Sequence, residues 1–348
     1  YNGKFYEYEQ GTCNLIKYKK EGGENAVILS GTKVVAKGAF DEIPLTSLYV
    51  PDSVENVAAE VLGKGENLIS LDLATLCYPS ANGLKRFFKD SLTPRGLKNI
   101  VVRNDTTIDA DAFVNCVGLE SVEYISPITS VGTAAFYGCD SLRTIILREA
   151  DENVSVGKEV FYGCSSLTEL TLPSLLGKTL AYYFGGNDAA IKKIEFTSTV
   201  AYELPRAAFK NFISLKEIIL SSGLKAVGEG AFEGVTAPID LTNTSVTAIG
   251  DKAFAGYAGK TLTLNENTTA IGAYAFYNTC LTQIALPAAL KTLKAKAFAG
   301  CSAKIAFHKD GAKDLIKESV FEEYAGSEAD LSGMEYIGSN AFKNSKIT

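Results

Sequence analysis

Hydrophobic positions recur along the chain as Leu-x-x-Leu-x-Leu, with Ile, Val or an aromatic residue in place of some leucines. Clear copies occupy residues 142–147, 167–172 and 215–220. The last three positions of each copy alternate, as they do in a short strand that buries only one face. The pattern therefore predicts many short strands, one in each repeat of the chain.

A second pattern, Ile-Gly-x-x-Ala-Phe, lies between the predicted strands and occupies residues 249–254, 271–276 and 337–342. We expect it to form a tight turn that leads into a short helical or 3₁₀ segment. In this interpretation the glycine relieves the backbone, the alanine allows close approach and the phenylalanine fills the interior.

The phenylalanine of this second pattern recurs at steps of 21 to 25 residues from Phe88 onward. The anchoring phenylalanines are Phe40, Phe88, Phe113, Phe136, Phe161, Phe184, Phe209, Phe232, Phe254, Phe276, Phe298, Phe321 and Phe342. With Leu62 in the anchor position between Phe40 and Phe88, the chain holds about fourteen units. One such unit cannot bury its own apolar stripe, but stacked copies can, because each covers the next. The predicted fold is a repeat solenoid, with a parallel sheet on one face and turns with short helical or 3₁₀ segments on the other.

The Leu-x-x-Leu-x-Leu strand joined to Ile-Gly-x-x-Ala-Phe closely resembles the repeat of the BspA-type (Treponema-type) leucine-rich repeat family, an α/β-type repeat. The resemblance covers roughly residues 26 to 348 and rests on many copies in register. It implies a secreted or cell-surface protein of a host-associated microbe, with a role in adhesion and in binding extracellular matrix proteins.

The two ends and one internal stretch depart from the repeat. Residues 1–25 contain two short apolar alternations, at 5–8 and 15–18, which predict a β-hairpin cap before a solenoid over residues 26–348. The units around residues 58–95 are irregular, and residues 77–83 resemble a loop insertion. The chain stops six residues after Phe342, so we expect either a short final cap or truncation from a longer protein.

Composition narrows the class of protein. With 46% hydrophobic and 21% charged residues, the chain is typical of a folded protein rather than a disordered one. Its net charge of −6 and its scattered Lys and Arg residues argue against nucleic acid as a partner. No run of about 18 apolar residues occurs, so we expect no membrane insertion by this segment. The chain begins at Tyr1 rather than Met, and we expect a signal peptide to have been removed from an extracellular or cell-surface protein.

The seven cysteines are an odd number and cannot all pair within the chain. Four of them follow a repeat phenylalanine by three residues, namely Cys116, Cys139, Cys164 and Cys301. We favour a column of small buried thiols, because a free cysteine packs like a small hydrophobic residue. Disulfides between neighbouring repeats, or a metal, are the alternatives, although no Cys-x-x-Cys supports zinc.

Recognisable catalytic chemistry is absent from the sequence. It contains no phosphate-binding glycine loop and no nucleophile elbow. The single histidine, His308, would have to serve any histidine-dependent triad, and we expect it on the exposed face of a strand. We therefore predict no catalytic residue, no cofactor and no metal, in a protein that is not an enzyme.

Charged residues occupy outward positions on several predicted strands. These residues are Glu169, Lys193, Glu195, Glu217 and Asp240. Stacking would place neighbouring carboxylates roughly 5 to 8 Å apart. Such an acidic stripe could attract a basic segment of a partner protein, or a cation, but an ordinary solvated face is the alternative. Tyr137, Tyr162 and Tyr277 each follow an anchor phenylalanine, and we expect them to pack on the neighbouring repeat rather than form an interface.

The sequence and its resemblance together favour a non-enzymatic protein-binding module, with host or extracellular matrix proteins as partners. The exposed sheet face, including the five charged positions, is the expected contact surface. The alternative is a passive spacer, or stalk, within a larger surface protein.

Overall fold

Short parallel strands and tight turns alternate along the chain, as the two sequence patterns predict. The computed structural model describes residues 5–78, 81–89, 93–149, 154–172, 178–186, 190–307, 316–329, 331 and 334–347. The chain divides into two units: the first contains residues 1–170 and 183–185, and the second contains residues 171–182 and 186–348. The predicted boundary between a cap and the solenoid at residue 25 stays a prediction.

The described strands are, in chain order, β1 (Tyr6–Tyr8), β2 (Asn14–Tyr18), β3 (Asn25–Val27), β4 (Val34–Val35), β5 (Ser47–Val50), β6 (Asn56–Val57), β7 (Ser70–Leu73), β8 (Cys77–Tyr78), β9 (Ala81–Asn82), β10 (Asn99–Val102), β11 (Thr107–Ile108), β12 (Ser121–Ile128), β13 (Ser130–Val131), β14 (Thr144–Glu149), β15 (Ser155–Val156), β16 (Glu169–Leu172), β17 (Lys193–Phe196), β18 (Tyr202–Leu204), β19 (Glu217–Ile219), β20 (Leu224–Val227), β21 (Ile239–Asp240), β22 (Ala248–Ile249), β23 (Leu262–Thr263), β24 (Ala270–Ile271), β25 (Gln283–Ala285), β26 (Thr292–Leu293) and β27 (Lys304–Ala306). Helical segments among the described residues are the 3₁₀ helices Lys20–Gly22 and Leu84–Phe87 and the short helix α1 (Leu180–Phe184).

In the first unit the Leu-x-x-Leu-x-Leu strands form a parallel main sheet in the order β3-β5-β7-β10-β12-β14-β16. The inward residues of these strands, such as Leu48, Ile100 and Val122, are buried. A second, narrower ladder runs beside the main sheet, with β2, β4 and β6 in one part and β11, β13 and β15 in another. Most turns of this unit therefore supply one strand to each ladder, and the predicted solenoid with a parallel sheet on one face is confirmed.

The second unit repeats this arrangement with shorter strands. Its main-sheet strands pair as β17 with β19, β21 with β23 and β25 with β27, all in parallel. Its second ladder is continuous over β18-β20-β22-β24-β26. That ladder contains the isoleucine of the Ile-Gly-x-x-Ala-Phe pattern, as in the pairing of Ile249 with Ile271. The sequence patterns did not reveal this second strand, because two residues are too few to display an alternation.

Anchor phenylalanines fill the interior of each unit as stacked columns. In the first unit the ring centroids of Phe113, Phe136 and Phe161 are separated by 4.8 and 5.7 Å. In the second unit the step from Phe232 to Phe254 is 5.2 Å, and near-parallel stacking continues to Phe342. These separations lie in the range favoured by aromatic pairs, which gain from contact beyond the burial of their area.

The turn around each anchor is held by hydrogen bonds to the following turn. Phe254 donates its backbone N–H to the carbonyl oxygen of Ala275 at 2.8 Å. Lys252 and Gly256, two residues to either side, donate to the next turn in the same way, at 2.9 and 2.7 Å. Both have a left-handed backbone, with φ of 55° and 60°. Among the described residues this segment is a run of turns, so the chain passes the anchor without completing a helix.

The glycine of Ile-Gly-x-x-Ala-Phe has a different role from the predicted one. Gly250 does not have a positive φ, and the left-handed position falls on Lys252 instead. A Cβ atom at Gly250 would lie 2.8 Å from the backbone nitrogen of Glu229 in the preceding turn. Gly250 also donates its N–H to the carbonyl oxygen of Val227 at 2.7 Å. The glycine is therefore required because two turns approach too closely for a side chain, which corrects the expectation that it relieves the backbone.

The irregular repeats around residues 58–95 keep the same hydrogen-bond register as the other repeats of the first unit. Phe40 donates its N–H to Val61, and Leu62 donates to Phe87, so Leu62 occupies the anchor position that the spacing predicts. The predicted insertion contains the antiparallel pair β8 and β9, with residues 79 and 80 outside the described residues. At the N-terminal side, β1 and β2 form an antiparallel hairpin, and β2 pairs in parallel with β4.

Truncating a central anchor should remove a large part of the stability. Phe254 is 0% exposed and stacks on Phe232 and Phe276, so we expect Phe254→Ala to lower the free energy of unfolding by about 3–5 kcal/mol. Phe342, which is half-buried and stacks on Phe321, provides the matched control, with a clearly smaller loss expected for Phe342→Ala. Denaturant unfolding followed by circular dichroism measures both; equal losses would contradict the central role of the column.

The corrected role of the glycine also makes a prediction. We expect Gly250→Ala to cost about 1–3 kcal/mol, because the new methyl group must push two backbones apart. Lys252→Ala, two residues away, leaves a non-glycine residue at the same positive φ and should change stability by less than about 0.5 kcal/mol. The same denaturant measurement checks both variants. A neutral Gly250→Ala would mean that the turns can separate without loss.

Candidate protein-interaction surface

Outward positions of the main sheet form two rows in the first unit, because every strand exposes alternate residues. The first outward row consists of Asn25, Ser47, Ser70, Asn99, Ser121 and Thr144. The second outward row consists of Val27, Tyr49, Asp72, Val101, Glu123 and Ile146. The sheet therefore presents uncharged polar groups along one line and a mixture of apolar and acidic groups along the next.

The charged groups of the second outward row are neutralised by arginines. Arg103 forms ion pairs with Asp72 and, at 3.2 Å, with Asp52, and it donates to the carbonyl oxygen of Val50 at 2.5 Å. Its guanidinium also lies over the ring of Tyr49, 4.4 Å from the centroid. Arg148 pairs with Glu123 at 3.1 Å. Since the Arg103 side chain contacts the two preceding turns, it fixes Tyr49 in place as well as cancelling charge.

In the second unit, two of the predicted stripe residues come together as an ion pair. Lys193 lies opposite Glu217 in the pairing of β17 with β19, and their side chains are 3.2 Å apart. Their side chains are 34% and 53% exposed, so the pair is worth only about 0–1 kcal/mol. The positive charge of Lys193 nevertheless neutralises Glu217 locally. This part of the predicted stripe is therefore not acidic.

The other predicted stripe residues lie apart from that pair. Glu195 stands in the next row, opposite Ile219. Asp240 lies on β21 and accepts hydrogen bonds from the N–H and hydroxyl of Thr242 at 2.9 and 2.7 Å, so its carboxylate is engaged by its own turn. Glu169 is exposed on β16 in the first unit. Among the described residues, neither Glu169 nor Glu195 has an ion-pair partner, and partner binding by the five residues stays a prediction.

The tyrosines that follow an anchor phenylalanine pack as predicted in the first unit. The rings of Tyr137 and Tyr162 stack with centroids 5.0 Å apart and an angle of 17° between their planes. Tyr277 in the second unit instead meets Tyr274 of its own repeat edge-on at 5.7 Å. Stacked rings cover each other's faces, so Tyr137 and Tyr162 present mainly edges to solvent.

The cysteine column is formed as the favoured interpretation predicts. Cys116, Cys139, Cys164 and Cys301 are buried, and all seven cysteines are free thiols. Cys139 and Cys164 donate to the backbone carbonyls of Phe113 and Phe136 of the preceding turn, each at 3.1 Å. Burial raises the pKa of the Cys301 thiol. The four buried thiols therefore fill space, Cys139 and Cys164 each also satisfy a carbonyl, and burial keeps reagents away from all four in the folded protein.

Among the residues that the structure describes, no group of three His, Cys, Asp or Glu side chains is arranged to hold a metal ion. His308, the only histidine, lies outside the described residues, so its predicted exposure stays a prediction. No helix in the described part of the chain has the length and apolar character needed to cross a bilayer.

Uncharged residues of the first unit are the part of this surface that the sequence patterns did not single out. Asn25 and Asn99 occupy the first outward row, and Tyr49 lies beside them in the second. The Leu-x-x-Leu-x-Leu frame assigns these positions outward as reliably as it does for Glu169. An uncharged side chain gives no electrostatic signal in a sequence, however, and only the pairing register brings these residues into rows.

Comparison with known proteins identifies the repeat. The chain matches the family model described as BspA type Leucine rich repeat region, in six copies, over residues 18–143, 88–202, 150–257, 179–304 and 238–348. These matches together span residues 18–348. No curated protein matches the chain significantly.

Several solved structures are similar to this chain. A Treponema pallidum leucine-rich repeat protein is 19% identical with a TM-score of 0.29, over 67% of this chain and 87% of that one. A leucine-rich cell surface protein from Faecalibacterium prausnitzii is 17% identical with a TM-score of 0.28, over 88% of this chain and 94% of that one. A leucine-rich repeat protein from Eubacterium ventriosum is 16% identical with a TM-score of 0.34, over 97% and 90%.

The three exposed cysteines should react in an order set by their surroundings. Burial, and then the Asp105 carboxylate, raise the pKa of Cys77 to about 11. We therefore expect an alkylating reagent to label Cys13 and Cys280 first, Cys77 slowly, and the four column cysteines only after unfolding. Because the thiolate is the nucleophile, labelling of Cys77 should rise about tenfold per pH unit below its pKa. Mass spectrometry of peptides from a time course at two pH values measures this.

Two results would contradict this order. Labelling of Cys139 in the folded protein as fast as Cys280 would mean that the column is open to solvent. Thiols that stay unlabelled after unfolding without a reductant would instead favour the alternative of disulfides between neighbouring repeats.

Proposed function

Because the chain belongs to the BspA-type leucine-rich repeat family, we propose that it is a protein-binding module that is secreted or displayed at the cell surface. Repeat proteins of this kind serve in protein–protein interaction, and an extended sheet is the surface they offer. Adhesion to host or extracellular matrix proteins is the specific role that the family resemblance suggests.

The observation that carries this proposal is the regularity of the outward rows. Inward residues and the turns keep the fold together, so outward residues such as Asn99 and Glu195 are free to contact another molecule. A surface whose outward residues stand about 4.8 Å apart along each row suits a large, flat partner better than a small molecule, which needs an enclosing cavity. Binding rather than catalysis is therefore the activity we propose.

Only some of the acidic positions predicted from the sequence remain available to attract a partner. Glu169 and Glu195 keep uncompensated charge among the described residues, whereas Glu217 is paired with Lys193. A basic segment of a partner would gain most from Glu195, and it would have to compete with Lys193 for Glu217. Such a contact would speed association and weaken with salt.

A passive spacer is the second candidate, and the hydrogen-bond ladder favours it. Within each unit, most turns are tied to the next by backbone hydrogen bonds on two ladders, which holds neighbouring turns firmly with no need of a ligand. A stalk would tolerate any change on the outward rows. The two candidates therefore differ in whether outward substitutions change a measurable interaction.

Immobilised chain should retain one or more proteins from a preparation of host extracellular matrix proteins. If Glu195 and Glu217 contribute, the double variant Glu195→Lys, Glu217→Lys should bind at least about fivefold more weakly than the parent chain at low salt, with little change in melting temperature. The double variant Glu203→Lys, Glu266→Lys makes the same change of net charge at two exposed glutamates outside the main sheet, one on β18 and one in a turn, and is the matched control. Surface plasmon resonance across a range of salt concentrations measures the effect.

Two outcomes count against these ideas. Affinity that does not vary with salt and is equal for the double variant and the control would eliminate the acidic contact. Retention of no protein at all, by a chain with an intact thermal transition, would favour the spacer.

A further inference from the structure

The first outward row of the first unit contains two asparagines whose orientation is fixed by neighbouring hydroxyls. The side-chain oxygen of Asn25 accepts from the hydroxyls of Thr46 and Ser47 at 2.9 and 2.6 Å. The side-chain oxygen of Asn99 accepts from the hydroxyl of Ser121 at 2.7 Å. Among the described residues neither amide nitrogen has an acceptor, so each NH₂ group is a donor held ready on an exposed face.

The spacing of these two donors matches an extended polypeptide. Asn25 and Asn99 are three strand steps apart in the row, through Ser47 and Ser70. Neighbouring strands are about 4.8 Å apart, so the two donors are separated by about 14 Å. An extended chain advances about 3.3–3.4 Å per residue, and carbonyls four residues apart on one side of it are therefore about 13–14 Å apart. An extended segment lying along the row could therefore accept a hydrogen bond from Asn25 at one end and from Asn99 at the other.

The second outward row adds apolar contact without free charge. Val27 is 55% exposed and Tyr49, which lies opposite it, is 37% exposed. Tyr49 is held by the guanidinium of Arg103, so it loses little freedom on binding. The carboxylates of Asp72 and Glu123 are already paired with Arg103 and Arg148. Tyr, Ser and Asn together, with charges cancelled, form a surface of the kind that antibody-like binding sites use.

We propose that the outward rows of the first unit bind an extended, uncharged segment of a partner protein, whose backbone carbonyls accept from Asn25 and Asn99 while an apolar side chain covers Val27 and Tyr49. This inference rests on the proposed function and names the partner chemistry of the same surface. A polysaccharide is the less suitable occupant, because its hydroxyls are commonly recognised by free carboxylates and exposed ring faces. Here the carboxylates are paired, and one face of Tyr49 is covered by Arg103.

The probe is a phage-displayed library of random linear peptides of about twelve residues. Such a peptide is long enough to run along the row from Asn25 to Asn99. Panning on the whole chain should enrich peptides that are poor in Lys, Arg, Asp and Glu. A synthetic peptide of the enriched class should bind the parent chain with an affinity that changes less than about twofold between low and high salt.

The double variant Asn25→Asp, Asn99→Asp tests the contact directly. It keeps the size of both side chains and the oxygens that accept from Ser47 and Ser121, but it replaces each outward donor with an acceptor. We expect the peptide to bind this variant at least about tenfold more weakly. The double variant Asn67→Asp, Asn115→Asp adds the same two charges at exposed asparagines of turns in the same unit; it is the matched control and should bind normally. Ser70→Arg, which places a long cation between the two donors, should also abolish binding, and thermal unfolding shows whether each variant is folded.

Several results would overturn the inference. Enriched peptides rich in Lys and Arg, bound in a salt-sensitive way and lost in Glu195→Lys, would move the site to the acidic positions and leave the proposed function standing. The same holds if the matrix pull-down retains a protein equally well with the Asn25→Asp, Asn99→Asp chain. Failure to enrich any peptide also counts against an extended-segment site, as does binding to a glycan array instead. An empty pull-down would remove the proposed function as well.

Discussion

The hydrogen bonds that each turn donates to the next around its anchor phenylalanine are the constraint on which the rest of each unit depends. At Phe254 three alternate residues donate forward, and the ring lies between two others at stacking distance. For these bonds to form, Lys252 must adopt a left-handed backbone that costs a non-glycine residue about 1–2 kcal/mol. The same conformation recurs at Tyr274 and Lys296, so the ladder and the buried column evidently outweigh that cost in every such turn.

This constraint explains which parts of the fold the sequence could predict. The phenylalanine spacing and the strand alternation are direct consequences of burial, and they predicted the stacked turns and the inward residues. Leu62 could be assigned because an apolar side chain of similar reach satisfies the same position. The left-handed residues could not be predicted, because Lys, Tyr and Glu do not prefer that backbone; only contacts with the next turn impose it. The role of Gly250 was misassigned for the same reason, since its contact lies in a turn some twenty residues away.

The sequence predicted that the residues of the candidate surface are exposed, but it did not predict which of them are neighbours. All five charged positions lie on strands with their side chains at least partly exposed, as the alternation predicts. Which of them are neighbours depends on the pairing register, and that register is a property of two turns together. Equivalent positions of two repeats fall in one row, and Glu195 and Glu217 are not equivalent: Glu217 meets Lys193 at the third position of Leu-x-x-Leu-x-Leu, and Glu195 meets Ile219 at the fifth. The asparagines and serines of the first unit carry no charge that would mark them in the sequence, and their order appears only when the strands are paired.

Separate duties for inward and outward residues follow from this architecture. The ladder uses backbone groups and the column uses inward side chains, so an outward residue such as Ser70 or Asn99 contributes little to holding a turn in place. Yet the stacked turns fix each outward side chain at a set distance from the next, and Ser121 goes further by fixing the orientation of Asn99. A surface built in this way loses little conformational entropy when it binds, which is the main cost that a flexible loop would bear. The stiffness that would make a good spacer therefore also allows weak, uncharged contacts to add up to specific binding. Variants on the outward rows distinguish a spacer from a binding module, because they change the surface and leave that stiffness unchanged.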